Sequence, residues 1–135
     1  MAERPNKLQL EIVTPRELLF AGEVDWVSVP GIEGYLGILP GHAPLLSELK
    51  IGVISYRFEG KEHRIFCSWG FVEVLADRVS ILAESAERPE QIDRNRAQAD
   101  KEKAENLLRS RSADTDFKQA LELWEASVAR LEVVG

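Results

Sequence analysis

The sequence predicts an antiparallel β-sandwich, or flattened barrel, followed by an antiparallel two-helix hairpin. Up to Ala83 the chain runs in short β-rich pieces divided by turn residues, with no helical stretch between them; strands of that kind pair with their sequence neighbours in a sandwich. From Glu84 onward no glycine occurs before Gly135 and no proline after Pro89, and Ala, Glu, Lys, Arg, Gln and Leu take over, all of them good helix formers. The change in character divides the chain into residues 1–86 and residues 87–135.

The first strand is read from Leu8, Leu10 and Ile12 alternating with Gln9, Glu11 and Val13 before Thr14-Pro15 turns the chain. Leu18 to Phe20, Trp26 to Val29, Ile51 to Phe58, His63 to Trp69, Phe71 to Leu75 and Val79 to Leu82 are further strands. Their boundaries are expected at Ala21-Gly22, Gly31, Glu59-Gly60-Lys61, Gly70 and Ala76-Asp77-Arg78. In the fifth of these pieces Ile65, Cys67 and Trp69 point to one side and Arg64, Phe66 and Ser68 to the other. Cys67 is thus expected as a small core residue, and His63, at a strand start, as a surface residue.

Between Val29 and Leu46 lie four glycines (Gly31, Gly34, Gly37, Gly41) and three prolines (Pro30, Pro40, Pro44). Neither a helix nor a long strand runs through such a segment, so tight turns with short apolar pieces at Tyr35-Leu36 and Ile38-Leu39 are expected. The segment holds no Gly-x-x-x-x-Gly-Lys, and its glycines are not followed by the helix that a dinucleotide fingerprint requires. His42, between Pro40 and Pro44, is expected either to hydrogen-bond the turn backbone or to meet a partner.

A first helix is expected from Pro89 to Arg109 or Arg111, with Pro89 in its first turn and Glu90 and Asp93 near the positive end of its dipole. Asp93 and Arg96 then sit three apart on one face, the spacing of a surface ion pair. A break at 110–116 offers Ser112, Asp114 or Thr115 as cap of a second helix from Thr115 to Glu132. Phe117, Leu121, Trp124, Val128 and Leu131 form a heptad seam on that helix, answered on the first by Ala97, Ala104, Leu107 and Leu108. The seam is thin on one side, which predicts a weakly held hairpin.

Composition excludes several functions. Net charge is −6, from 17 basic and 23 acidic residues, the wrong sign for a general nucleic-acid binder. No apolar run is long enough to span a membrane, and the amino terminus has neither a signal-peptide core nor the character of a transit peptide. With two histidines and one cysteine the chain has no zinc motif, and Gly-x-Ser-x-Gly does not occur. No catalytic site and no metal site is read.

The segment from Gly31 to Leu46, with Trp69-Gly-Phe-Val-Glu-Val, Val79-Ser-Ile-Leu-Ala and Ile92 to Ala97, resembles the epsilon subunits of F-type ATP synthases in order and spacing over nearly the whole chain. The resemblance implies a non-catalytic rotor subunit of the central stalk that couples proton flow to ATP synthesis. Its sandwich would bind the gamma subunit and rest on the c-ring. Its hairpin would either fold onto the sandwich or extend along gamma toward the alpha and beta subunits and inhibit ATP hydrolysis. Without a transit peptide, it would lie peripherally on the cytoplasmic face of a bacterial inner membrane. Ring contact carries over to Glu33, Gly34 and Tyr35, with Leu36, Gly37, Pro40, Gly41 and His42 completing a ring or gamma interface. Arg109, Arg111, Lys118 and Arg130 would meet beta in the extended state. An ATP site carries over to Ile92, Asp93, Arg96 and Ala97, with Glu87 and Arg130; Lys103, Gln119 and Ala126 stand where nucleotide-binding relatives carry arginines, which implies ATP as a weak regulatory ligand at most. A free-standing ATP-sensing module with a helical clamp is the alternative, and a sandwich hydrolase or sugar-binding domain is a third.

Overall fold

The computed structural model describes residues 6–110 and 116–135. Eight strands come first: β1 (Leu8–Val13), β2 (Leu18–Val24), β3 (Val27–Gly31), β4 (Gly34–Ile38), β5 (Leu45–Leu49), β6 (Gly52–Phe58), β7 (Lys61–Val74) and β8 (Arg78–Glu87). A 3₁₀ turn at Pro89–Gln91 leads to α1 (Arg94–Ser110) and α2 (Phe117–Val134).

The strands hydrogen-bond in the order β2-β1-β8-β7-β5-β3-β4, and β6 bridges β3 and β7. β7 is what folds this ribbon into a sandwich. Its first half pairs with β6, from Lys61 to Cys67, and its second half with β5, from Gly70 to Val74. At the crossover Trp69 has φ 53° and Gly70 φ 151°, while the register against β8 is the same on either side, so the strand bends there without an inserted residue. A Cβ on Gly70 would run into the Leu82 carbonyl of β8, so the bend requires glycine both for its conformation and for the approach of the neighbouring backbone.

The alternation predicted for β1 is present, with Leu8, Leu10 and Ile12 completely buried. They meet Val27, Val29, Ile38, Ile54, Ile65, Cys67, Val72, Val74, Val79 and Ile81 in one core. Cys67 is a buried core thiol, and burial pushes its pKa up to about 12. His63 is exposed and stacks on Tyr56 with ring centres 5.3 Å apart.

Several expectations are corrected. Ala21-Gly22 is not a boundary but the middle of β2, where a Cβ on Gly22 would stand 3.0 Å from the Phe20 ring and 3.1 Å from the Phe58 ring. The glycine makes room for packed aromatics. The pieces on either side of Gly70 are one strand of 14 residues, and Trp69 lies out of the core at 36% exposure because the bend turns it away. Leu45–Leu49 is a further strand, beginning inside the segment expected to hold only turns and short apolar pieces. Pairing is not wholly antiparallel, since β1 runs parallel to β8.

The helices also start and pack differently. The Arg88 backbone N–H donates to Gln91 Oε1 at 2.8 Å and closes a separate turn after β8, and Ile92 returns to extended backbone. Helix α1 then begins afresh, capped by Asp93, whose Oδ1 accepts the Arg96 backbone N–H at 3.0 Å. Asp93 therefore serves as a cap rather than as the ion-pair partner of Arg96. For α2 the cap is Asp116, accepting from the Gln119 N–H at 3.1 Å; Ser112, Asp114 and Thr115 lie outside the described residues. Nor does the heptad seam form the buried face. Phe117 and Leu121 are 49% and 46% exposed, and Ala120, Ser127, Ala129 and Val133 are buried instead, because small residues let α2 lie close to both α1 and the sheet.

Among the described residues, α2 and not α1 packs broadly on the sandwich. Ala129 and Val133 cover Ile51, Val53 and Phe66, with Ile92 and Ala126 at the edge. Phe66 is the alternation partner that points away from the sandwich core, and the helix is what buries it.

Candidate functional site

Four regions of the surface collect the candidate residues. At the tip of the β3–β4 hairpin, Gly31 pairs with Gly34, leaving Ile32 and Glu33 exposed at the turn. Tyr35 follows, 57% exposed, with its hydroxyl accepting the Val53 backbone N–H at 3.0 Å. Leu36 packs against the edge of the core, and Gly37 faces open space. A cleft of about 560 Å³ beside the tip is lined by Ile32, Glu33, Tyr35, Leu36, Leu45 and Leu46. Pro40, Gly41 and His42 lie apart from this cleft, in the loop between β4 and β5. The loop is fastened by Gly41 N–H to the Ala76 carbonyl at 2.7 Å and by His42 N–H to the Leu39 carbonyl at 3.1 Å. His42 Nδ1 donates to the Ala43 carbonyl at 2.6 Å, the backbone role expected for it.

The second region is the junction of sandwich and hairpin. Glu87 at the end of β8, Asp93 and Arg96 at the start of α1, Ala97 on its buried face and Arg130 on α2 converge on one cleft of about 360 Å³. The break between the 3₁₀ turn and α1 makes this possible by setting Asp93 at a helix start. Gln91 and Asp100 also line the cleft; nothing in their spacing marked them. Ile92 points elsewhere, into the apolar contact below α2.

Electrostatically the cleft is largely neutralised already. Arg130 Nη2 lies 2.8 Å from Glu87 Oε2 and Nε 3.0 Å from Oε1, both side chains about a quarter exposed. Its guanidinium also stacks over the Phe66 ring, 4.3 Å from the centroid. Arg96 is exposed and makes no ion pair among the described residues, leaving Asp93 and Asp100 as uncompensated acids beside it. A phosphate chain entering here meets one unengaged guanidinium and two carboxylates.

The third region was not found from the sequence. Leu18 pairs with Val13, Val13 with Leu82, and Leu82 with Phe71 across four adjacent strands. Leu18, Leu82 and Phe71 are 56%, 53% and 49% exposed. Register partners share a sheet face, so these side chains form one apolar row on the outside of the sandwich. Each occupies an outward position in a strand whose inward positions are also apolar, and only the pairing order brings them together.

Fourth is the far end of the hairpin, where Leu107, Phe117 and Leu121 are exposed, as are Arg109 and Lys118. Arg111 lies outside the described residues. Arg130, grouped with them from the sequence, is at the opposite end of α2 against Glu87.

Among the described residues no group of three or more His, Cys, Asp or Glu side chains is placed to hold a metal ion, and no helix is long and apolar enough to cross a membrane.

Comparison with known proteins matches both parts of the chain. Residues 7–89 match the beta-sandwich domain of the ATP synthase delta/epsilon chain, and residues 90–135 its long alpha-helix domain. An ATP synthase epsilon chain of Nitratidesulfovibrio vulgaris is 45% identical over 130 residues, covering 96% of this chain and 97% of that one. One from Koribacter versatilis is 51% identical over 105 residues, covering 78% and 74%. Among solved structures, a chain of the Euglena gracilis mitochondrial ATP synthase in an assembly with OSCP, F1 and c-ring superposes with a TM-score of 0.85 at 22% identity, over 99% of this chain and 85% of that one. That likeness concerns the fold. A sandwich that ends at the junction cleft, a hairpin docked beyond it and a family match across both parts lead to one statement: the chain belongs to the ATP synthase delta/epsilon chain family.

Proposed function

We propose that the protein is the non-catalytic, epsilon-type rotor subunit of the central stalk of an F-type ATP synthase, coupling proton flow to ATP synthesis and restraining ATP hydrolysis through its helices. Residues 1–86 form the coupling part and residues 87–135 the regulatory part. The β3–β4 tip, with Glu33 foremost, meets the c-ring. The apolar row of Leu18, Leu82 and Phe71, with the loop around His42, faces gamma. In an extended state the hairpin reaches alpha and beta, offering Arg109, Arg111 and Lys118, and Arg130 once it leaves Glu87. The protein sits peripherally, through its complex, on the cytoplasmic face of a bacterial membrane.

One observation carries the regulatory half of this reading. Among the described residues the apolar contact between hairpin and sandwich is a cluster of five buried residues, against eighteen in the sandwich core. A contact of that size sets two positions of an element within a few kcal/mol of each other, as a switch requires.

ATP is at most a weak ligand in this reading, because the Glu87–Arg130 pair must open before Arg130 can serve a phosphate. Calorimetric titration of the protein with ATP is expected to show no micromolar site; micromolar affinity lost in Arg96→Ala would favour the nucleotide-sensing alternative.

The regulatory assignment is tested by Val133→Asp, which places a carboxylate against Phe66 and undocks α2. ATP hydrolysis by a reconstituted catalytic complex containing gamma should be inhibited more strongly by this variant than by the unaltered chain. Equal inhibition would show that docking and inhibition are not opposed.

A further inference from the structure

Val53 stands where the sandwich divides. β3 pairs with β6 at Val27–Tyr56 and Ser28–Ser55, and by Gly31 it has gone over to β5, with Gly31 opposite Leu49. Pro30 lies at the division between the two pairings. Its carbonyl is taken by the Lys50 N–H at 2.9 Å. The Val53 N–H, in a residue only 3% exposed, is thus left without a ladder partner, and an unsatisfied buried donor is costly.

Tyr35 supplies the acceptor. Its hydroxyl reaches from β4 over β3 to the Val53 N–H at 3.0 Å. The crossing depends on Gly52, where a Cβ would stand 2.6 Å from Pro30 Cβ and 2.8 Å from Tyr35 Oη. On the other side of the same residue, the Val53 side chain belongs to the cluster with Phe66, Ala129 and Val133 that seats α2. One residue therefore donates a hydrogen bond to the β3–β4 hairpin through its backbone and carries α2 on its side chain.

We propose that Tyr35 is a positioning residue that links the β3–β4 tip to the platform under α2, so that a partner displacing the tip loosens the docked helical hairpin. The hydroxyl holds β4 to β6 at the residue α2 rests on, and no other side chain of the tip makes a hydrogen bond to β6 among the described residues. The direction of information rests on the reading of the tip as a contact surface; the linkage itself does not.

Amide hydrogen exchange on the full chain tests the linkage without any partner. Tyr35→Phe keeps the ring and removes the acceptor. It is expected to speed exchange at Val53 and in residues 126–134 of α2 by about tenfold, with β1 and β2 unchanged. In a Val133→Ala background, where the seat is already loosened, the same change should have less effect on α2, giving a non-additive double-mutant cycle. Gly52→Ala, which displaces the phenol by contact, should reproduce the exchange pattern. Acceleration at Val53 alone, acceleration spread evenly over β1 and β2, or strict additivity with Val133→Ala would each overturn the proposal. Loss of ring contact in Glu33→Ala, measured separately in the assembled complex, bears on the tip as a contact and not on the linkage.

Discussion

Arg130 closes a two-point ion pair on Glu87, with Nη2 2.8 Å from Oε2 and Nε 3.0 Å from Oε1, and lays its guanidinium 4.3 Å from the centre of the Phe66 ring. The last residue of β8, the middle of β7 and α2 are tied at that point. Two further arginines fasten the end of α2: Arg64 donates to the Glu132 carbonyl at 3.3 Å and Arg94 to the Val134 carbonyl at 2.6 Å. These donors meet the negative end of the helix dipole, where cations stabilise.

Arg130→Ala is therefore expected to weaken docking of α2 by about 1–3 kcal/mol, since it leaves Glu87 partly buried without its partner and uncovers Phe66. Arg130→Lys should restore little, because an ammonium cannot make both contacts and stack on the ring at once. Exchange rates of the α2 amides in the two variants measure the difference. Similar protection in Arg130→Lys and the unaltered chain would show that charge alone suffices.

Alkaline pH should unfold the protein through two buried groups. Burial raises the Cys67 thiol to about 12. Tyr56 is likewise raised to about 12, chiefly by burial, with Arg88 opposing and Glu90 adding to the shift. Both groups keep their protons longer when folded than when unfolded, so the folded state binds more protons and its stability falls with rising pH. The loss begins near pH 9 for the thiol and near pH 10 for the phenol and levels off near 12. Urea midpoints between pH 8 and 12 check this: Cys67→Ala should flatten the first part of the decline. The native thiol should also resist alkylation until the chain unfolds.

Replacing Gly70 by alanine should cost about 2–4 kcal/mol, because the side chain meets the Leu82 carbonyl and the φ of 151° disfavours any Cβ. Gly37→Ala, at an open position in β4, is the control and should change stability by less than about 1 kcal/mol. Urea denaturation distinguishes them; equal midpoints would mean that β7 straightens without penalty.

Charge placed in the apolar row should disrupt association and leave the fold intact. Leu82→Glu and Phe71→Glu change side chains about half exposed on the outer face, so the urea midpoint of each should stay close to that of the unaltered chain. Association with a gamma-containing complex should fall at least about tenfold for each. Retained association would move the docking surface elsewhere on the sandwich.

The sequence showed the fold wherever one physical cause acted. Leu8, Leu10 and Ile12 have a polar side and a core side, and their alternation is visible. It misled wherever a residue had a different cause. Gly22 makes room for Phe20 and Phe58 rather than turning the chain, and Gly70 bends a strand rather than ending it. Phe66 and Cys67 are neighbours on opposite faces and both buried, because α2 covers one face; alternation alone cannot announce the cover. On α2 the long apolar residues suggested the seam, while contact with a close sheet and a close helix selected Ala120, Ser127 and Ala129. The junction cleft was legible as a motif, but the cap at Asp93 and the Glu87–Arg130 pair depend on where the chain breaks and returns. Tyr35 was marked as a tip residue, yet its bond to Val53 follows from the Pro30 carbonyl being taken by the Lys50 N–H at the division of the sheets, which no local pattern expresses.

The most direct test of the account is co-elution of the full chain with a reconstituted catalytic complex containing gamma. The account predicts a stoichiometric complex that survives gel filtration, is lost with Phe71→Glu and is unaffected by Arg130→Ala. A chain that elutes alone while remaining folded, or one that binds equally well to the catalytic subunits without gamma, would contradict it.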